Sequence, residues 1–190
     1  MRSEGKTVIF LGSSVTYGSA SGGISFADLM AQNYGICCIK EAVSGTTLAD
    51  TGKDSYVSRL KKLDRSIPAD LFICQLSTND AVPERNISIS QVEDAIRFIV
   101  RYVKEAFHCP VVFFTGTYFE NERYADMIRL LYSLQKDEAF HILDLYHDPD
   151  MLAVSEEDYR IYMDDPIHPT LEGYAKWWLP KFADFCEQFL

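Results

Sequence analysis

The chain has 190 residues, 47% of them hydrophobic and 24% charged, the profile of a soluble globular protein long enough to bury a core without metal or disulfide. Its formal net charge of -10 argues against sequence-independent binding to nucleic acid, which needs a surplus of Lys and Arg, and against adsorption to anionic lipid. No stretch approaches the length that spans a bilayer.

From the N-terminus, the first strong signal is the apolar run Thr7–Leu11, read as a strand. It is too short for the apolar core of a secretion signal, and no small-residue cleavage site follows it, so a cytoplasmic location is expected. Further strands are predicted at Ile36–Lys40, Leu71–Leu76, Val111–Thr115 and His141–Leu145. These runs are mostly continuous rather than alternating, as for parallel strands covered on both faces. Between them lie helical patterns. Weak ones occupy about 25–33 and 55–64. A clear one runs over about 91–107, with Ser90 as N-cap and Glu93 three residues on. Another covers about 122–136, with Met127, Ile128, Leu131 and Leu134 on one face. After Pro169 a final apolar periodicity runs to the C-terminus, with Pro180 placed to kink or split it.

Strands alternating with helices predict a three-layer α/β/α sandwich around a mostly five-stranded parallel sheet, flavodoxin-like, with residues 1–190 as one domain. The five cysteines (Cys37, Cys38, Cys74, Cys109, Cys186) are odd in number and include no Cys-x-x-Cys, so they are expected as buried, reduced thiols. In such a sheet, ligands bind beyond the carboxyl ends of the strands. Four segments fall there or lead into the last helix.

Gly12-Ser13-Ser14-Val15-Thr16-Tyr17-Gly18 follows the first strand and lacks the glycine and lysine spacing of dinucleotide and Walker loops. Ser14 is placed there to present its hydroxyl at a helix start, where negative charge is favoured, although a capping serine would occupy the same position. Gly45 follows the second strand, where a glycine lets the backbone approach a ligand. Asn79, in Ser77-Thr78-Asn79-Asp80, follows the third, and its amide is a candidate oxyanion donor or a plain turn cap. Asp165-Pro166-Ile167-His168 has the spacing for a carboxylate to orient an imidazole. A second Asp-x-x-His, Asp144 to His147, has the same spacing. Asp144 lies inside an apolar run, so it is expected to be less free to orient its histidine, and His168 is preferred.

Taken together and in order, these segments resemble the SGNH hydrolase superfamily, the GDSL esterases and lipases. The resemblance implies a serine esterase. Ser14 would be its nucleophile, His168 the base and Asp165 the orienter of that base. The backbone N–H groups of Ser14 and Gly45 and the side chain of Asn79 would form the oxyanion hole. It implies no metal or organic cofactor, and a small-molecule ester as partner. Three residues depart from the family pattern: Ser13 replaces the usual Asp, Lys40 stands where Asn often opens the second block, and Ser77 replaces a Gly. They leave a non-catalytic small-molecule or carbohydrate binder on the same fold as the alternative. The absence of a long apolar lid favours short acyl groups.

Overall fold

A computed structural model describes residues 3–190. Five strands, β1 (Thr7–Gly12), β2 (Cys37–Ala42), β3 (Leu71–Gln75), β4 (Val111–Phe114) and β5 (His141–Leu143), form one sheet in the order β2-β1-β3-β4-β5. Every pairing is parallel. The order reverses after β2, so the loops leaving β1, β2 and β3 open side by side at one edge. That edge is where a crevice forms in sheets of this kind.

Residues along each strand point alternately to opposite faces, and each face has its own core. Ile9, Leu11, Phe72, Cys74, Val111 and Phe113 pack with α3 (Tyr56–Leu60), α4 (Ile89–Ala106) and α5 (Glu122–Gln135). Val8, Phe10, Leu71, Ile73, Val112 and Phe114 pack with α2 (Phe26–Tyr34) and the C-terminal helices. On that second face the Phe26 ring stacks on Phe182 at 3.8 Å and meets Phe114 edge-on at 5.2 Å. Such pairings contribute beyond simple burial.

The predicted elements are all present, with shifted ends. Ser88, not Ser90, caps α4: its hydroxyl accepts from Gln91 N at 3.2 Å, and Gln91 Oε1 accepts from Ser88 N at 2.8 Å. Both serines carry an acceptor three residues on. The earlier one is used because each residue added to an existing helix gains a further hydrogen bond. Strands β3, β4 and β5 end one or two residues sooner than the apolar runs, because the residues that follow turn into the site loops. The C-terminal periodicity divides into α8 (Leu171–Gly173), a π-helical turn (Tyr174–Trp178) and α9 (Leu179–Cys186), with Pro180 in the first turn of α9. A proline there has no N–H to offer the preceding turn, and the wider π turn accommodates this. Two short helices, α6 (Pro149–Leu152) and α7 (Glu156–Tyr162), fill the interval before α8. Between β1 and α2 lies α1 (Ser14–Tyr17).

Cys74, Cys109 and Cys186 are buried as expected, Cys38 is half-buried and Cys37 is exposed, so the expectation of burial fails for the last. No helix among the described residues is long and apolar enough to cross a membrane.

Candidate active site

The turn out of β1 is built around one amide oxygen. Gln75 Oε1, at the end of β3, accepts from Ser13 N at 3.0 Å, Thr16 N at 3.3 Å and Thr16 Oγ1 at 2.9 Å. A Cβ at position 12 would lie 1.9 Å from Thr16 Oγ1 and 2.8 Å from Gln75 Oε1, so the close approach requires Gly12. Held this way, the turn starts α1 with Ser14, whose N–H makes no hydrogen bond among the described residues. Ser14 is 8% exposed.

His168 Nε2 lies 2.8 Å from Ser14 Oγ, and His168 Nδ1 lies 2.7 Å from Asp165 Oδ2. The other carboxylate oxygen of Asp165 accepts from Ile167 N at 2.7 Å and His168 N at 2.8 Å. Partial burial works against ionisation of Asp165. The bonds from the His168 ring and from these two N–H groups outweigh it and hold the carboxyl below the usual range. The loop is closed by Asp164 N donating to His168 O at 2.9 Å and by a bridge between Met163 and Pro169.

The loop after β2 forms the other wall. Gly45 adopts φ +77°, the left-handed region that favours glycine, and its N–H has no acceptor among the described residues. Asn79 Nδ2 donates to Thr46 O at 3.0 Å, so one hydrogen of the amide binds the residue after Gly45 and the second remains to donate elsewhere. Asp80 accepts from Leu48 N and Ala49 N, each at 2.8 Å. Its burial raises the carboxyl above its ordinary value despite those bonds.

Arg59 joins the two walls. Although only 6% exposed, its guanidinium reaches Gly12 O at 2.7 Å, Glu41 O at 2.7 Å, Glu41 Oε1 at 3.1 Å, Thr46 Oγ1 at 3.2 Å and Asp54 O at 3.0 Å. The chain before Ser14 and the loop bearing Gly45 are thus fixed to one rigid cation. Sequence reasoning missed both Arg59 and Gln75. The signal for Gln75 was a lone amide inside the apolar run Leu71–Leu76. For Arg59 it was a charged residue among Tyr56, Val57 and Leu60 on a helix face that is otherwise buried.

The structure therefore brings Ser14, His168 and Asp165 into one line of contacts, and joins Gly45 to Asn79 through Thr46. The second Asp-x-x-His does not reach Ser14. Contrary to expectation, Asp144 does orient its histidine: Oδ2 lies 2.8 Å from His147 Nδ1 and also accepts from Tyr132 at 2.8 Å, while Oδ1 accepts from Thr115 at 3.0 Å. Strand β5 ends at Leu143, so Asp144 is free of the alternation assumed for it. His147 is distinguished by position alone, on the surface past the edge strand.

Each departure residue has a local setting. Lys40 binds Asp28 at 2.6 Å and the carbonyls of Gly23 at 2.8 Å and Tyr17 at 3.2 Å, bracing the segment after α1. Ser77 Oγ caps the turn Thr78–Ala81 by accepting from Asn79 N at 3.2 Å. Ser13 Oγ and the Tyr56 hydroxyl are buried with no hydrogen-bond partner among the described residues.

Residues 10–176 match the model of the GDSL-like lipase/acylhydrolase family. The chain belongs to that family. It is accordingly an ester-hydrolysing enzyme with an α/β fold. No curated protein matches it in sequence. Among solved structures it resembles a lipase/acylhydrolase from Enterococcus faecalis (16% identity, TM-score 0.75, 96% of each chain covered). It also resembles an aryl esterase from M. smegmatis (16%, TM-score 0.74, 97% of this chain and 100% of that one). A third is a carbohydrate acetylesterase family member from Sinorhizobium meliloti (14%, TM-score 0.71, 97% and 99%). At these identities the likeness is one of fold.

Proposed function

We propose that this GDSL-family member is a serine esterase acting on small carboxylic esters, with Ser14 as nucleophile, His168 as base and Asp165 as the residue that orients it. The reading rests on the 2.8 Å contact between Ser14 Oγ and His168 Nε2, with Nδ1 of the same ring on a carboxylate. In the acylation step Ser14 Oγ attacks the ester carbonyl as its proton passes to His168 Nε2. The Ser14 and Gly45 N–H groups and the second hydrogen of the Asn79 amide receive the charge that develops on the carbonyl oxygen, and one such donor contributes about 3–4 kcal/mol to the transition state. His168 then gives its proton to the leaving alcohol oxygen. Water, deprotonated by the same ring, releases the acid and restores Ser14.

The alcohol half lies on the His168 side, where its oxygen must meet Nε2. On that side α7 borders a cavity of about 350 Å³, walled by Tyr118, Met151, Leu152, Tyr159 and Trp177, and suited to an apolar or aromatic group. Burial, and then the Asp165 carboxylate, push the Tyr159 phenol up, and α7 itself ends at Tyr162, three residues before Asp165. No cofactor enters the scheme, residues 1–190 act as one domain, and a cytoplasmic location completes the proposal.

A fluorophosphonate probe tests it. Covalent labelling at Ser14, abolished in Ser14→Ala together with hydrolysis of phenyl acetate, is the expected result. Hydrolysis undiminished in Ser14→Ala would sink the assignment, and a folded wild-type chain that neither labels nor hydrolyses would favour the non-catalytic binder.

A further inference from the structure

On the other side of the site, the loop from β2 to α3 encloses a cleft of about 390 Å³ whose walls include Gly45, Thr47, Thr51, Lys53, Asp54 and Arg85. Gly45 is thus shared between this cleft and the proposed oxyanion hole. Most of the lining is polar. The N–H groups of Gly45, Gly52 and Lys53 make no hydrogen bond among the described residues, which leaves donors without acceptors along the loop.

The charges are what give the cleft a direction. Acidic residues outnumber basic ones by 28 to 18 in this chain, and Lys6, Lys40, Arg59, Lys61, Arg97, Arg101 and Lys181 are all engaged in ion pairs. Lys53 and Arg85 form no ion pair among the described residues, yet they come from separate segments to line the same cleft. Lys62 adds a third cation nearby, its ammonium donating to Lys53 O at 3.1 Å. In the lining itself two cations, Lys53 and Arg85, face one carboxylate, Asp54. Asp54 shares the lining, Asp50 is paired with Lys61 at 3.4 Å, and the Asp80 carboxylate is turned inward onto Leu48 N and Ala49 N. The balance is positive in a strongly negative molecule, beside a residue proposed to contact the reacting carbonyl.

We propose that this cleft receives a negatively charged acyl group, so that the preferred substrates are esters whose acyl half ends in a carboxylate. The inference rests on the esterase reading above. It follows from the division of space at Ser14: His168 must face the leaving oxygen, which commits the alcohol half to the α7 side and leaves the Gly45 side to the acyl half. A terminal carboxylate there meets Lys53, Arg85 and the unused backbone donors.

Matched chromogenic esters decide it: 4-nitrophenyl hemiadipate against its neutral counterpart 4-nitrophenyl hexanoate, each corrected for the Ser14→Ala background. The hemiadipate is expected to be the better substrate by kcat/KM. In a Lys53→Gln, Arg85→Gln double variant its KM should rise about tenfold while the hexanoate is unaffected, and 0.5 M NaCl should reproduce the loss in the wild type. Equal use of the two esters, or a preference untouched by the double substitution, overturns the proposal. A charge preference found instead between 3-acetoxybenzoate and phenyl acetate, and lost in the double variant, overturns the placement on the acyl side. If none of the esters is hydrolysed, the esterase reading fails and calorimetric titration with adipate still tests the cleft. Binding that vanishes in the double variant upholds it, and absence of binding to the wild type overturns it.

Discussion

Replacement of Arg59 by lysine is the most demanding test of how the two walls of the site are held together. The guanidinium makes five hydrogen bonds from a position only 6% exposed, to Gly12 O, Glu41 O, Glu41 Oε1, Thr46 Oγ1 and Asp54 O. An ammonium has three donors on one atom and cannot span the distance between the Gly12 and Asp54 carbonyls. At least two acceptors are therefore left without their donor, at about 1–1.5 kcal/mol each, or about 2–3 kcal/mol in total. For a chain of this length that lowers the melting temperature by about 4–12 °C. The catalytic consequence is separate. The bond to Gly12 O fixes the residue two before Ser14, and the bond to Thr46 Oγ1 fixes the residue after Gly45. Losing both allows the proposed nucleophile and oxyanion donor to drift apart, and a displacement of about 1 Å costs about 100-fold in rate. We expect kcat on phenyl acetate to fall by ~10–100-fold with KM nearly unchanged. In Arg59→Ala, millimolar guanidinium should restore part of kcat by occupying the vacated site. Unchanged kcat in a folded, thermally destabilised Arg59→Lys would refute this reasoning and leave Arg59 as a support of the fold alone.

Other outcomes follow from the same contacts. His168→Ala should lose ester hydrolysis, whereas His147→Ala should retain wild-type kcat/KM; loss of activity in the second would return the Asp144 pair to the site. Gly12→Ala places a methyl 1.9 Å from Thr16 Oγ1 and 2.8 Å from Gln75 Oε1, so it should displace the Ser14 turn and abolish fluorophosphonate labelling, even at temperatures where circular dichroism shows the fold intact. Asp144, Asp148 and Asp165 all have carboxyls held below their ordinary values. Their stabilisation is present above the unfolded-state value of about 3.9 and is lost as pH falls through the lower folded values, so the melting temperature should drop below about pH 4. Asp80, raised by burial, acts with the opposite sign and offsets part of that drop. A melting temperature flat from pH 6 to pH 3 would show that these carboxylates carry no net stabilisation.

The positions of the candidate residues relative to the strands were legible because the sheet itself was. Continuous apolar runs mark buried parallel strands, and Ser14, Gly45 and Asn79 all lie within a few residues of a strand's carboxyl end. The Asp165 spacing was legible only in part. Asp144 and His147 build an equivalent pair with a similarly short Nδ1 contact, and what separates the two is that His168 meets Ser14 beyond β1 whereas His147 lies past the edge strand β5. Long-range polar contacts were not legible. Gln75 serves Ser13 and Thr16 from about 60 positions away, and Arg59 reaches Gly12 across 47, with no local periodicity to announce either. Choice between two equivalent caps, Ser88 and Ser90, was likewise beyond local pattern, because both satisfy the same spacing.

The contact between Ser14 and His168 joins positions 154 residues apart. During synthesis the serine therefore leaves the ribosome long before its histidine exists, and on the proposed assignment a chain interrupted before position 168 has a Ser14 hydroxyl with no base. The proposed pair is complete only once the segment before α8 has docked beside Ser14. On that assignment, ester turnover reports long-range docking rather than secondary structure alone. Recovery of activity after dilution from denaturant should accordingly lag behind the recovery of helical signal.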